Sequence, residues 1–206
     1  MTAQDAPSPA RARVLQAAAA AICERGLADT RVADIAVHAG MSPGHVMYYF
    51  STREEILVEA LRWANERFLD EALAEAASLR TVHERLLRLV DLALPSDPAE
   101  EPHSQWLLWL DVWARSPRNP VVDANRRDLE GRWVATYADL VEQGIAAGEF
   151  REVDVQDFAV RFAVLMDGLG KAVVLADSWM SRERARRICA DMIAAELVGE
   201  APVGRA

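Results

Sequence analysis

Apolar side chains recur every three or four residues along most of this chain, the spacing of amphipathic helices. Sustained alternation of apolar and polar positions is missing, as are Asn-Gly or Asp-Gly pairs between apolar runs, so no strand is expected. Ser8-Pro9 reads as an N-cap followed by proline in the first turn. The helix it opens carries Val14, Leu15, Ala18, Ala19 and Ile22 on one face, reaches about Glu24, and is ended by Gly26. Thr30 reads as the cap of a short second helix that stops at Gly40, and Ser42-Pro43 opens a third that ends near Phe50. Thr52, with Glu55 three residues on, opens a long fourth helix to about Leu79, and Thr81 with Glu84 opens a fifth. Beyond the proline-rich acidic stretch Pro95 to Pro102, a sixth helix runs from about His103 to Arg115. A seventh runs from about Pro120 to Ala147, an eighth from Asp154 to near Ala176, and a ninth from Ser181 to Gly199. The pattern predicts an all-α protein of about nine helices, with residues 1–8 as a disordered tail and 200–206 frayed.

The stretch from Thr30 to Phe50 carries the functional information. Two short helices meet at Ala39-Gly40-Met41-Ser42, where glycine permits the left-handed turn that redirects the chain. Ile35, Ala36, Ala39, Met41, Val46 and Tyr49 fall at the inward positions of a helix-turn-helix, whose second helix enters the DNA major groove. With Val46 inward, Gly44 and Tyr48 lie about 160° away on opposite sides, at 100° per residue, and His45 and Met47 occupy the flanks. Gly44 lets the backbone approach the groove floor, His45 can hydrogen-bond a base edge, and Tyr48 can meet phosphate or a thymine methyl. Ser42 and Pro43 at that helix start, and Thr30 and Arg31 at the start of the helix before it, suit phosphate oxygens. Arg53, opening the fourth helix, is placed to reach the sugar-phosphate backbone.

The net charge of −9 would argue against a nucleic-acid binder if it were evenly spread. Residues 1–62 hold six arginines against seven acids, so −8 of the −9 lies beyond them. A nearly neutral DNA-reading module on an acidic body fits that distribution. Apolar residues make up 51% of the chain and charged residues 27%, which excludes wholesale disorder. The longest apolar run, Trp106 to Leu110, is stopped by Asp111, far short of the roughly 20 residues that span a bilayer, so no membrane partner is expected. Met1 to Pro9 has neither a basic n-region nor an apolar h-region, which makes the cytoplasm the expected location. Cys23 and Cys189 have no CxxC spacing, and His38, His45, His83 and His103 form no ligand pair, so neither metal nor cofactor is expected.

The run Arg13-Val14-Leu15-Gln16-Ala17-Ala18 through Thr30-Arg31-Val32-Ala33-Asp34-Ile35-Ala36, and the run from Ala39 to Leu57, resemble the start of tetracycline-repressor (TetR) family proteins. Two positions depart from that pattern. Met47 stands where the family usually carries a phosphate-contacting tyrosine, with Tyr48 and Tyr49 beside it to supply the contact, and Arg53 replaces the usual lysine. The order Trp106, Trp109, Trp113, Pro117, Trp133, Gly148-Glu149-Phe150 and Asp167-Gly168-Leu169 is similar to the C-terminal domain of BetI-type regulators. The resemblance implies a homodimeric, ligand-responsive regulator, usually a repressor, on a near-palindromic operator in double-stranded DNA. Its domains would be residues 9–51, which read DNA, and 52–199, which bind ligand and dimerise.

Trp106, Trp109, Leu110 and Trp113 form one stripe of the sixth helix, which reads either as core or as the wall of a ligand pocket. Trp133 and Tyr137 from the seventh helix and Phe162, Met166 and Asp167 from the eighth could join such a pocket. An acid among aromatic rings suits a cation, and the remaining wall suits a hydrophobic effector. Phe158, Leu165, Leu169, Val173, Ile188, Ile193 and Leu197 offer a second apolar surface for a four-helix dimer interface; the other reading has them cover the monomer core. The alternatives to a DNA-binding regulator are a helical ligand-binding module and an enzyme. No nucleophile elbow, phosphate loop or metal spacing supports an enzyme. A module that had lost DNA should carry acids on the outer face of the third helix, where none stands.

Overall fold

The structure is a computed structural model that describes residues 8–96 and 105–199. The expected tail before Ser8, the loop from Asp97 to Pro102, the start of the sixth helix at His103 and the end beyond Gly199 lie outside the described residues. Among the described residues there are nine α-helices and no strand: α1 (Pro9–Asp29), α2 (Val32–Ala39), α3 (Pro43–Tyr49), α4 (Arg53–Ala77), α5 (Val82–Ala93), α6 (Gln105–Arg115), α7 (Pro120–Ala146), α8 (Val155–Val174) and α9 (Arg182–Ile193). A 3-10 turn, Ser116–Arg118, precedes α7, and a π turn, Ala194–Val198, continues α9.

Side-chain caps account for where the helices begin. The hydroxyls of Ser8, Ser42, Thr81 and Ser181 and the carboxylate of Asp154 each accept a backbone N–H three residues on, at 3.0–3.3 Å. Such a cap is worth about 1 kcal/mol, because a helix start leaves four N–H groups without an intrahelical partner. Glu84 completes the box at Thr81 by accepting the Thr81 N–H at 3.0 Å.

Two compact units divide the chain. One holds Met1–Phe68 and Leu107–Arg126, the other Leu69–Trp106 and Arg127–Ala206, so α4, α6 and α7 contribute residues to both. This division runs differently from the boundary at residue 52 drawn from sequence. The core of the first unit joins Val14, Ala18 and Ile22 of α1, Ile35 of α2, Val46 of α3, Ile56 and Ala60 of α4, and Leu108 and Val112 of α6. The core of the second joins Leu86 and Leu89 of α5, Tyr137 and Val141 of α7, Phe158 and Phe162 of α8, and Ile193 of α9.

α1 is broken at Gly26, whose φ of 78° and ψ of 161° interrupt the helix before a final turn. That break leaves polar backbone groups to satisfy. The Leu27 N–H donates to the Asp111 carboxylate of α6 at 2.8 Å. The carbonyls of Thr30, Leu27 and Ala28 accept from the Arg53 guanidinium at 2.6, 2.6 and 3.0 Å.

Candidate nucleic-acid interface and effector site

The turn between α2 and α3 is built by its backbone. Gly40 adopts φ 62° and ψ 38°, a left-handed conformation that costs a side-chain-bearing residue about 1–2 kcal/mol. The Met41 N–H donates to the Ala36 carbonyl at 2.9 Å and the Gly40 N–H to Val37 at 3.1 Å, which closes the helix end. Ile35, Ala36, Ala39 and Val46 are buried and Met41 and Tyr49 half-buried, as the inward pattern requires.

The outer face of α3 presents Gly44, His45, Met47 and Tyr48, all exposed; Tyr48 is 80% accessible. A Cβ built at Gly44 would meet nothing within 4 Å, so the approach to this face is open. Tyr49 packs between its neighbours, 5.6 Å from the His45 ring and 5.2 Å from Tyr48. Ser42 and Pro43 are exposed at the start of α3, and Arg31 is exposed ahead of α2, where its N–H donates to Asp34 at 2.9 Å.

Two expected DNA contacts are corrected. Thr30 is fully buried, and its hydroxyl donates to the carbonyls of Gly26 at 2.8 Å and Ala21 at 3.2 Å; Arg31, not Thr30, is the residue before α2. Arg53, expected on phosphate, is committed to the three carbonyls of the α1 corner. Two residues gain roles that the sequence pattern did not disclose. Arg11 pairs with Glu59 at 2.5 Å, lies 4.5 Å over the Phe50 ring, and ties α1 to the exit of α3. Val37, on α2, leaves 79% of its surface in solvent; its place opposite Ile35 and Ala39 in the helical period was the available signal.

The nine expected effector residues fall in different units. Trp109, Leu110 and Trp113 belong to the first, with the Trp109 and Trp113 rings 5.9 Å apart. Trp106, Trp133, Tyr137, Phe162, Met166 and Asp167 belong to the second. Trp106 packs on the backbone of α8: a Cβ at Gly170 would lie 2.0 Å from its ring, so only glycine fits there. Its indole N–H donates to the Ala93 carbonyl at 2.9 Å. The Trp133 and Tyr137 rings lie tilted, 5.9 Å apart along α7, and Tyr137 meets Phe162 edge-on at 5.0 Å. Phe162 and Met166 are buried behind them as core, with Phe162 stacked on Phe158 at 5.5 Å and Met166 sulfur 3.4 Å from Cys189.

Asp167 stands out chemically. It is half-buried, and among the described residues no hydrogen bond or ion pair is found on its carboxylate. Burial, and then the negative charge of Glu130, push its pKa up to about 7. Tyr137 is held neutral by burial first and by the charge of Asp167 second. Glu130, Trp133 and Tyr137 share one face of α7 at spacings of three and four. A half-buried carboxylate with no counterion among the described residues, on a helix packed against aromatic rings, can hold an organic cation.

Five of the seven expected dimer residues, unlike Leu165 and Ile188, have no free surface to offer a partner. Phe158, Leu169, Val173, Ile193 and Leu197 are buried within the single chain, and Leu165 and Ile188 are half-buried. The exposed apolar residues are Val160 and Val164 on the other face of α8, Leu175 at its C-cap and Trp179 beyond; Val164 is 67% accessible.

A pair of short helices joined through a left-handed glycine, capped at Ser42 and open on the outer face of the second, defines a helix-turn-helix DNA-binding regulator. Comparison with known proteins narrows that class. Residues 14–60 match the family described as bacterial regulatory proteins, tetR family, and residues 82–198 match the BetI-type transcriptional repressor C-terminal domain. The HTH-type transcriptional repressor KstR2 of Mycolicibacterium smegmatis is 34% identical over 162 residues, 76% of this chain and 75% of that protein. The HTH-type transcriptional regulator BetI of Cronobacter sakazakii is 27% identical over 197 residues, 93% of each chain. A protein from Saccharomonospora viridis, assigned as a transcriptional regulator and crystallised with choline, superposes with a TM-score of 0.79 at 35% identity, covering 93% of this chain and 99% of that one. The chain belongs to the TetR family of transcriptional repressors, and its relatives are regulators, not enzymes. No helix among the described residues is long and apolar enough to cross a membrane.

Proposed function

We propose that this protein is a cytoplasmic, homodimeric repressor released from a near-palindromic operator by a quaternary ammonium compound of the choline class. One observation carries the choice of effector: the carboxylate of Asp167 is half-buried without a counterion among the described residues, and its charge is felt at Tyr137. The cation of a quaternary ammonium would pair with that carboxylate, and its methyl groups would lie on the Trp133 and Tyr137 rings. The choline bound by the Saccharomonospora viridis protein supports the same chemistry. Dimerisation would use the exposed face of α8, as Val160, Val164 and Leu175 otherwise leave apolar surface in water. Two recognition helices would then read half-sites about 34–36 Å apart, one helical turn of DNA. α4, which contributes to both units, gives a covalent route from effector to reader.

The test titrates the protein with choline and with its neutral isostere 3,3-dimethylbutanol, following tryptophan fluorescence. Choline should saturate the wild type and bind Asp167→Asn at least about tenfold more weakly, the loss of one charge-assisted contact worth about 1.4 kcal/mol. Equal affinity for the neutral isostere, with Asp167→Asn binding choline like the wild type, would contradict the cation reading.

A further inference from the structure

The side chain of Val37 is 79% exposed, second only to Tyr48 among the large apolar residues described. Folding does not explain it. Valine has only middling helix propensity, so α2 gains nothing from it locally. The closure of α2 uses the Val37 carbonyl, which accepts the Gly40 N–H at 3.1 Å, and leaves its isopropyl group untouched. Ile35 and Ala39 face the core, and at about 100° per residue Val37 points about 160° away from both.

Its place along the chain is informative. A recognition helix meets base edges with its N-terminal residues, and Val37 stands two residues before the end of α2, from which Gly40 to Ser42 lead into α3. The next exposed large apolar residues are Met47 and Tyr48, on the outer face of that helix. The major groove displays one apolar group, the thymine C5-methyl, and it appears only on A·T pairs. We infer that Val37 is a specificity-determining residue that packs against a thymine methyl in each half-site, read from α2 and not from the recognition helix. The inference rests on the helix-turn-helix reading DNA.

The test begins by selecting a duplex from a random library with the full-length wild type. Each thymine of the selected site is then replaced in turn by deoxyuridine, which removes only the methyl group. At one thymine per half-site the wild type should lose about fourfold in affinity, one buried methyl, or about fifteenfold when both half-sites are changed. Val37→Ala, an exposed substitution expected to fold normally, should bind the thymine duplex with that same loss and show no further loss with deoxyuridine at that position. Identical deoxyuridine profiles for wild type and Val37→Ala would overturn the assignment. Failure of the wild type to enrich any sequence would instead refute the DNA reading on which it rests.

Discussion

Arg53 shows how a residue type can be right and its role different. An arginine at the head of α4 suits phosphate, but its guanidinium is taken by the carbonyls left open where α1 breaks at Gly26. Removing those donors should cost about 1–3 kcal/mol, since the half-buried carbonyls lose their partners. Arg53→Ala should therefore lower the denaturant midpoint while leaving the salt dependence of operator binding unchanged. A flattened salt dependence at unchanged stability would return the side chain to the DNA backbone. Asp167 makes a prediction of the opposite kind. Its pKa is raised to about 7, so the effector-free protein holds a proton there that cation binding must expel. Choline affinity should be flat above that pH and fall about tenfold per pH unit below it. The same raised pKa means that stability is fully present below about pH 4, the unfolded carboxylate value, and declines as pH rises through 7. Asp167→Asn should abolish both trends. A choline affinity independent of pH between 5.5 and 8 would contradict them.

At the scale of elements, the helices were legible because their ends are chemical. Ser8, Ser42, Thr81, Asp154 and Ser181 announce starts that hydrogen bonds then supply, and Gly40 marks the turn that its positive φ requires. Faces were harder to read. α8 is apolar on two sides, and the larger side chains, Phe158, Phe162 and Leu169, turn into the chain's own core. The smaller Val160 and Val164 are left outside, so side-chain size did not mark which face stays exposed. Thr30 failed for a related reason: a threonine just before a helix fits both a cap and a buried hydroxyl, and the break at Gly26 supplied carbonyls that made it the second. The separation of Trp106 from Trp109 and Trp113 into different compact units is a property of tertiary packing that a helical stripe does not encode.

At the scale of the whole molecule, repression and release need a dimer that responds to an effector. Val164, exposed in the single chain, should become buried against a second copy, so Val164→Asp should yield a helical monomer by sedimentation. Ile193→Asp, at a fully buried site, should unfold the chain instead. A dimer that survives Val164→Asp would move the interface elsewhere. The central claim is that one cation site and one DNA site bias the same equilibrium, and linkage makes that claim quantitative. The measurement that tests it most directly is a reciprocal titration: operator affinity at zero and saturating choline, and choline affinity with and without the selected operator duplex. Choline should weaken operator binding and operator should weaken choline binding by the same factor, with both effects lost in Asp167→Asn. Saturation with choline at unchanged operator affinity would contradict the claim.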